Sequence, residues 1–208
     1  MEIISSAIER YIEGHHTELD PVLLEMERLG RTQNFPIVGP QVGRALFILA
    51  RLLRAERVFE MGSGFGYSAY WFARSLPAGG KVYQTDMSES NSKLARDFFE
   101  RGGFLKKAEF LVGDGVKLIE QAKGEFDIIF IDMDKADYPA AFKQAKRYLK
   151  KGGLLIADNC LWFGKVLQET EEPETLGIKE FTRLLFQDPE FFATILPIRD
   201  GVGVGYRI

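Results

Sequence analysis

Residues 58–70 read VFEMGSGFGYSAY, and this stretch restricts the fold of the 208-residue chain more than any other. Three apolar residues surround an acid, glycines follow at Gly62, Gly64 and Gly66, and an aromatic and small-residue run begins at Tyr67. The pattern predicts a buried strand over 58–61, a turn too crowded for ordinary side chains, and a helix starting near Tyr67. Such a unit presents backbone N–H groups at the helix start to a ligand. The spacing limits which ligand. A dinucleotide fingerprint needs glycine at the sixth position of G-x-G-x-x-G, and here that position is Tyr67. Glu60 also sets a carboxylate beside the turn, where a pyrophosphate is repelled and a cation is favoured. A glycine-rich turn with no ligand is the plainer alternative for this stretch taken alone.

Downstream the pattern becomes a regular alternation. Strands are predicted over 81–85, 108–112, 126–131 and 154–157, and helices over 88–101, 116–122, 137–149 and 175–187. The run FDIIFI at 126–131 is almost wholly apolar, as the centre of a parallel sheet requires. Gly152-Gly153 reads as the stop of the helix before it. Segments 191–198 and 202–208 flank Arg199-Asp200-Gly201, a hairpin signal. Upstream, apolar residues at helical spacing predict a helix over 3–12, and Asp20 as N-cap with Pro21 behind it predicts a second over 20–29. The loop 30–40, with Gln33, Asn34, Phe35 and Pro36, is a candidate lid, and 41–53 reads as a helix leading into the glycine turn. The expectation is one α/β domain over 1–208: a doubly wound, mostly parallel seven-stranded sheet with a C-terminal antiparallel hairpin. Helices over 1–40 form a lid and dimer region.

Composition narrows the function classes. Hydrophobic content of 46%, charged content of 27% and a net charge of −3 are those of an ordinary globular protein and advertise neither nucleic acid nor acidic lipid as a partner. A single cysteine, Cys160, excludes an internal disulfide and suits a reducing compartment. No apolar run approaches a membrane span, and Glu2, Glu9 and Arg10 stand where a secretory signal would be apolar, so a cytoplasmic protein is expected. The adjacent His15 and His16 lack a third ligand nearby and read as helix-end residues.

Polar residues close the predicted strands: Glu60, Asp86, Asp114, Asp132 with Lys135, and Asp158 with Asn159. An acid after a strand is often only a helix N-cap. Gathered at one crevice, however, several carboxylates repel unless a cation relieves them. Asp132, Asp158 and Asn159 offer two carboxylates and an amide oxygen, a set that suits a hard divalent ion such as Mg²⁺, whereas no Cys/His cluster argues for zinc. Asp86 follows the glycine turn at the distance where a second-strand carboxylate accepts both ribose hydroxyls. The alternative is that Asp158-Asn159 only turns the chain.

FEMGSGFGYSAY, FIDMDKADY and IADNCLWFGKV, in this order and spacing, resemble the metal-dependent class I O-methyltransferases, the family of the catechol and caffeoyl-coenzyme A enzymes and many bacterial relatives. The resemblance runs from about Val38 to the C-terminus. It implies a Rossmann-like methyltransferase fold with S-adenosylmethionine as cofactor, neighboured by Val38, Glu60, Gly62, Ser63, Ser68, Asp86, Gly115 and Asp134. It further implies Asp132, Asp158 and Asn159 as ligands of Mg²⁺ (or Mn²⁺ or Ca²⁺), Lys135 as general base beside Asp132, and a homodimer. Phe65 stands where the family usually has Thr, and Met133 where Ala or His is common.

The expected reaction is methyl transfer to a hydroxyl of a small, catechol-like acceptor with two adjacent oxygens. Trp162, Phe163, Tyr138 and Phe35 are candidates to wall an aromatic acceptor. The same chemistry on a hydroxylated wobble uridine of transfer RNA is the alternative, opposed by the acidic segment 169–174. The basic residues Lys143, Lys146, Arg147, Lys150 and Lys151 read as a solvated helix face. A nicotinamide oxidoreductase is disfavoured by Tyr67 and Glu60, and a catalytically silent binding protein by the acidic trio with its lysine.

Overall fold

The computed structural model describes residues 3–17 and 20–208, so Glu2 lies outside the described residues. Strands β1 (Arg57–Met61), β2 (Lys81–Asp86), β3 (Ala108–Val112), β4 (Phe126–Ile131), β5 (Leu149–Ala157), β6 (Phe191–Leu196) and β7 (Val202–Arg207) form one sheet in the order β3-β2-β1-β4-β5-β7-β6. The first five run parallel. β7 joins β5 antiparallel and carries β6 as the edge. Chain order reverses between β1 and β4, the switch point beyond which a doubly wound sheet opens a crevice.

Side-chain alternation explains why helices cover both faces. Val58, Ile128, Phe130, Leu154 and Ile156 pack with one core, beneath α2 (Pro21–Gln33), α3 (Gly39–Leu53), α4 (Tyr67–Ser75) and α5 (Glu89–Arg101). Phe59, Met61, Ile129, Ile131 and Leu155 face the other core, with α7 (Tyr138–Tyr148) and α8 (Pro173–Gln187). The period of two along each strand thus feeds two cores at once. α1 (Ser6–Glu13) is capped by Ser5 and buries no residue. α6 (Gly115–Leu118) is a single turn, shorter than the helix expected over 116–122.

Two expectations change. α2 continues through Gln33, so the lid candidate shrinks from 30–40 to a short connection between Asn34 and α3. Ile37 from this connection packs back on Gly30, its Cδ1 3.1 Å from where a Cβ would lie, so a larger residue there would push Ile37 aside by a few tenths of an ångström. Gly152-Gly153 does not stop a helix but lies inside β5, where the pairing with β4 shifts register and Gly152 takes φ 80°. The helix before it ends at Tyr148 and the strand begins at once.

Candidate active site

The carboxyl ends of β1, β2, β4 and β5 open into a cavity of about 1270 Å³. Asp132 donates its N–H to Met61 O at 2.9 Å and Asp158 donates its own to Ile131 O at 3.0 Å, which sets the two acids at the ends of neighbouring strands.

On one side lies the glycine turn. Gly62 takes φ 87°, and a Cβ there would collide with the Asp132 carbonyl, so the turn after β1 lies flat on the end of β4. Gly64 donates its N–H to Asp86 Oδ2 at 2.9 Å. The other oxygen of Asp86 accepts from Ser88 N at 2.8 Å and Asn91 Nδ2 at 3.0 Å. The acid therefore braces the turn and keeps about one lone pair, on Oδ2, free for a ligand. Asp114 caps α6 by accepting the Val116 N–H at 2.9 Å, which brings Gly115 to the cavity wall. Glu60 lies behind this wall. It is fully buried, its Oε1 accepts a short hydrogen bond from Ser68 Oγ, and its Oε2 has no donor. Burial raises its pKa to about 8, against the opposing effect of the Ser68 hydroxyl.

On the other side stand the charged groups. Lys135 is 9% exposed and donates to Asp132 Oδ1 at 2.9 Å and to Met133 O at 3.0 Å. Its ammonium lies 5.1 Å from the Tyr138 ring centroid and 6.0 Å from that of Trp162. Asp158 is 3% exposed, and burial followed by the nearby Asp132 charge raises its pKa well above the carboxylate range. Among the described residues no three His, Cys, Asp or Glu side chains converge on a metal position. A divalent cation placed between Asp132 and Asp158 would need its third protein donor from a neutral group, and the Asn159 amide is the one beside them on this cavity. With it the set fits a hard divalent cation: two carboxylates, of which the Asp132 charge raises the cost of ionising Asp158, and one neutral oxygen.

The family model described as O-methyltransferase matches residues 14–208. The chain belongs to the O-methyltransferase family. Among its relatives, the catechol O-methyltransferase of Niastella koreensis is 35% identical over 164 residues, covering 76% of this chain and 74% of that protein. Caffeoyl-CoA O-methyltransferase 1 of Eucalyptus globulus is 30% identical over 187 residues, covering 84% and 76%. The crystal structure of the Bacillus cereus O-methyltransferase in complex with SAH superposes with a TM-score of 0.89 at 31% identity, covering 97% of each chain.

Of the residues singled out from the sequence, Val38, Gly62, Ser63, Ser68, Asp86, Gly115, Asp132, Asp134, Lys135, Asp158 and Asn159 line this one cavity of the family fold. Glu60 does not reach it. Phe35, Trp162 and Phe163 line it as expected, but Tyr138 does not. The Tyr138 ring is fully buried and its hydroxyl donates to Asp158 O at 3.0 Å, so it supports the β5 end from below instead of facing an acceptor. Arg199 and Asp200 escaped notice because Arg199-Asp200-Gly201 reads as a turn. In the structure Arg199 lines the cavity and its guanidinium donates to the carbonyls of Ile37, at 2.9 Å, and Val38. Only a contact 161 residues away in sequence reveals that role.

Proposed function

We propose that this O-methyltransferase transfers the methyl group of S-adenosylmethionine to one hydroxyl of a small, catechol-like acceptor with two adjacent oxygens, using a divalent cation, Mg²⁺ or else Mn²⁺ or Ca²⁺. One observation carries the reading: a glycine turn suited to the donor and a lysine–carboxylate–amide group suited to the acceptor open on the same cavity. Relatives named for catechol and for caffeoyl-CoA support it.

On this reading the backbone at Gly62 to Gly64, with Asp86 and Gly115, binds the donor. Asp132, Asp158 and Asn159 would hold the cation, which when bound supplies Lewis acidity to the acceptor oxygens. Lys135, acting as the neutral amine after its own proton has left to solvent, takes the proton of the reacting hydroxyl at Nζ; a bond forms from that oxygen to the methyl carbon as the carbon–sulfur bond breaks. Val38 joins the donor's neighbours, while Phe35, Trp162 and Phe163 position the acceptor and exclude water. Buried Glu60, which holds a proton below about pH 8 in the ligand-free protein, would provide negative charge behind the donor's sulfonium once that cation favours its ionised form. Among the described residues ten acidic ones line the cavity, Glu13, Glu172 and Glu174 among them, against four basic ones, Arg31, Lys117, Lys135 and Arg199. Lys146, Arg147 and Lys150 are spent on Asp188, Glu120 and Asp127 and do not line the cavity. Both observations favour a small molecule over transfer RNA. Exposed Ile8 and Tyr11 on α1, with Ile48 and Leu52 on α3, support a homodimer, and the single buried thiol supports a cytoplasmic setting.

The test is labelled-methyl transfer to catechols, acyl-coenzyme A thioesters and unmodified cell RNA, with and without chelator. Transfer to a catechol, abolished by chelation and restored by Mg²⁺, is the expected result. Activity surviving complete metal removal overturns the cation's role, and labelling of RNA alone overturns the acceptor class.

A further inference from the structure

The turn between β6 and β7 is tied to the loop after β5. The Asp200 carbonyl accepts the Leu161 N–H at 2.9 Å and the Gly201 carbonyl accepts the Cys160 N–H at 2.8 Å. One carboxylate oxygen of Asp200 accepts a short hydrogen bond from the Phe163 N–H. From this base Arg199, an exposed residue that lines the cavity, reaches the connection between α2 and α3. Its Nη1 donates to the Ile37 carbonyl at 2.9 Å and, in a shorter bond, to the Val38 carbonyl.

Two local costs oppose this placement. Arg199 takes φ 50°, a region that residues with a Cβ seldom occupy. Its cation also stands at the N-terminal end of α3, where the helix dipole disfavours positive charge. Gly39, at φ 76°, leaves the room it needs, since a Cβ there would lie 3.2 Å from Nη1. A strained residue held against such costs points to a task for its side chain.

The connection has few other polar ties. Among the described residues no main-chain hydrogen bond joins residues 36–38 to the sheet, and the Phe35 N–H turns back to Gly30 O at 2.9 Å. Yet this connection carries the ring that covers the glycine turn. Phe35 Cε1 lies 2.7 Å from where a Cβ of Gly64 would be, and the ring packs 4.9 Å, centroid to centroid, from that of Phe65.

We propose that Arg199 is a positioning residue that latches the connection to the hairpin, keeps the Phe35 ring on the glycine turn and so slows release of the bound donor. The proposal rests on the reading of the glycine turn as the S-adenosylmethionine site. Arg199 acts here through the connection and not by touching the donor.

The test measures S-adenosylhomocysteine affinity by calorimetry and its release by chasing the radiolabelled compound with an unlabelled excess. Arg199→Met keeps much of the stem and removes the donors. Affinity should fall about 10- to 100-fold, the weight of hydrogen bonding to a charged group, chiefly through faster release. The unfolding free energy of the ligand-free protein should hold. Phe35→Ala should speed release by itself, and Arg199→Met should add little in that background, because residues acting through one contact are not additive. In labelled-methyl assays the donor KM of Arg199→Met should rise while turnover at saturating donor holds. Should methionine disturb the turn, Arg199→Gly, at ease at φ 50°, repeats the test. Unchanged release in either variant overturns the latch. So does a full additional loss in the Phe35→Ala background, or a fall in turnover at unchanged KM, which would assign Arg199 to the acceptor. A wild-type protein that binds no S-adenosylhomocysteine overturns the donor reading and the latch together.

Discussion

On the donor side of the cavity the backbone passes through positive φ at Gly62 (87°), Gly64 (51°) and Gly66 (86°); on the acceptor side it does so at Asn159 (57°), Trp162 (44°), Phe163 (52°) and Arg199 (50°). The same backbone problem is met by glycine in one place and by large or functional side chains in the other. At the donor turn a side chain would be in the way: a Cβ on Gly62 meets the Asp132 carbonyl, and one on Gly64 meets the Phe35 ring. On the proposed function the side chains of the acceptor loop are the working parts, so the strain is accepted there. Non-glycine residues held there cost on the order of 1–3 kcal/mol each. That cost is offset by bonds from distant chain: Asp200 to Phe163 across 37 residues, and Arg199 to Val38 across 161. The donor turn is braced locally, by Ser68 on Glu60 across 8 residues and by Gly64 on Asp86 across 22. One side is set by composition, the other by tertiary clamps.

If the two sides divide the labour this way, removing the acceptor-side lysine should affect turnover alone. Lys135→Ala removes the proton acceptor and also unpairs Asp132, its partner at 2.9 Å. Turnover should fall about 10²- to 10⁴-fold, the usual contribution of a general base, while S-adenosylmethionine affinity measured by calorimetry stays near the wild-type value. An equal loss in both would remove the base assignment and show that the two sides are one unit.

Gly62 probes the seam, because it belongs to the donor turn yet rests on the acceptor strand end. Gly62→Ala places a methyl against the Asp132 carbonyl and 3.0 Å from the Met133 Cα, and leaves alanine at φ 87°. Strain and overpacking together should destabilise the fold by about 2–4 kcal/mol. Denaturant unfolding measures this, and donor and Mn²⁺ affinities should both weaken. Loss of donor affinity alone would mean that Asp132 moves aside without consequence and that the two sides are separable after all.

This division also explains what could be read in advance. Glycines at 62, 64 and 66 announce positive φ, and an apolar run such as FDIIFI announces a strand buried on both faces; the strands and the donor turn follow from such local signals, whereas the order of the strands is seen only in the structure. The acids at strand ends were legible because topology carries every strand end of a parallel sheet to one crevice. Tyr138 was misplaced on the acceptor wall because sequence spacing does not say on which side of a helix start a ring falls; its hydroxyl reaches down to Asp158 O. Gly152-Gly153 was misread because a glycine pair stops a helix as readily as it bends a strand, and only the pairing of β5 with β4 decides. Asp200 stayed hidden for the deepest reason: strain at Trp162 and Phe163 leaves no mark in residue type, so the residue that imposes it leaves none either.

Per pH unit, the smallest effect belongs to Glu60, the acid that never reaches the cavity. Its pKa is about 8 in the folded protein against 4.5 for an ordinary glutamate, raised by burial. Between those values the folded state holds a proton that the unfolded state has released. Glu60 therefore adds stability that is complete below the unfolded pKa and lost as pH rises through 8, with a slope of at most about 1.4 kcal/mol per pH unit. Denaturant unfolding of the ligand-free protein across this window should show stability falling with pH, and Glu60→Gln, neutral throughout, should remove Glu60's share of that slope. A sulfonium in front of the wall favours the ionised carboxylate, so saturation with S-adenosylmethionine should flatten the wild-type slope and leave that of Glu60→Gln unchanged. A wild-type slope indifferent to the cofactor would reduce Glu60 to a buried partner of Ser68 and take the charge complementarity out of the donor side.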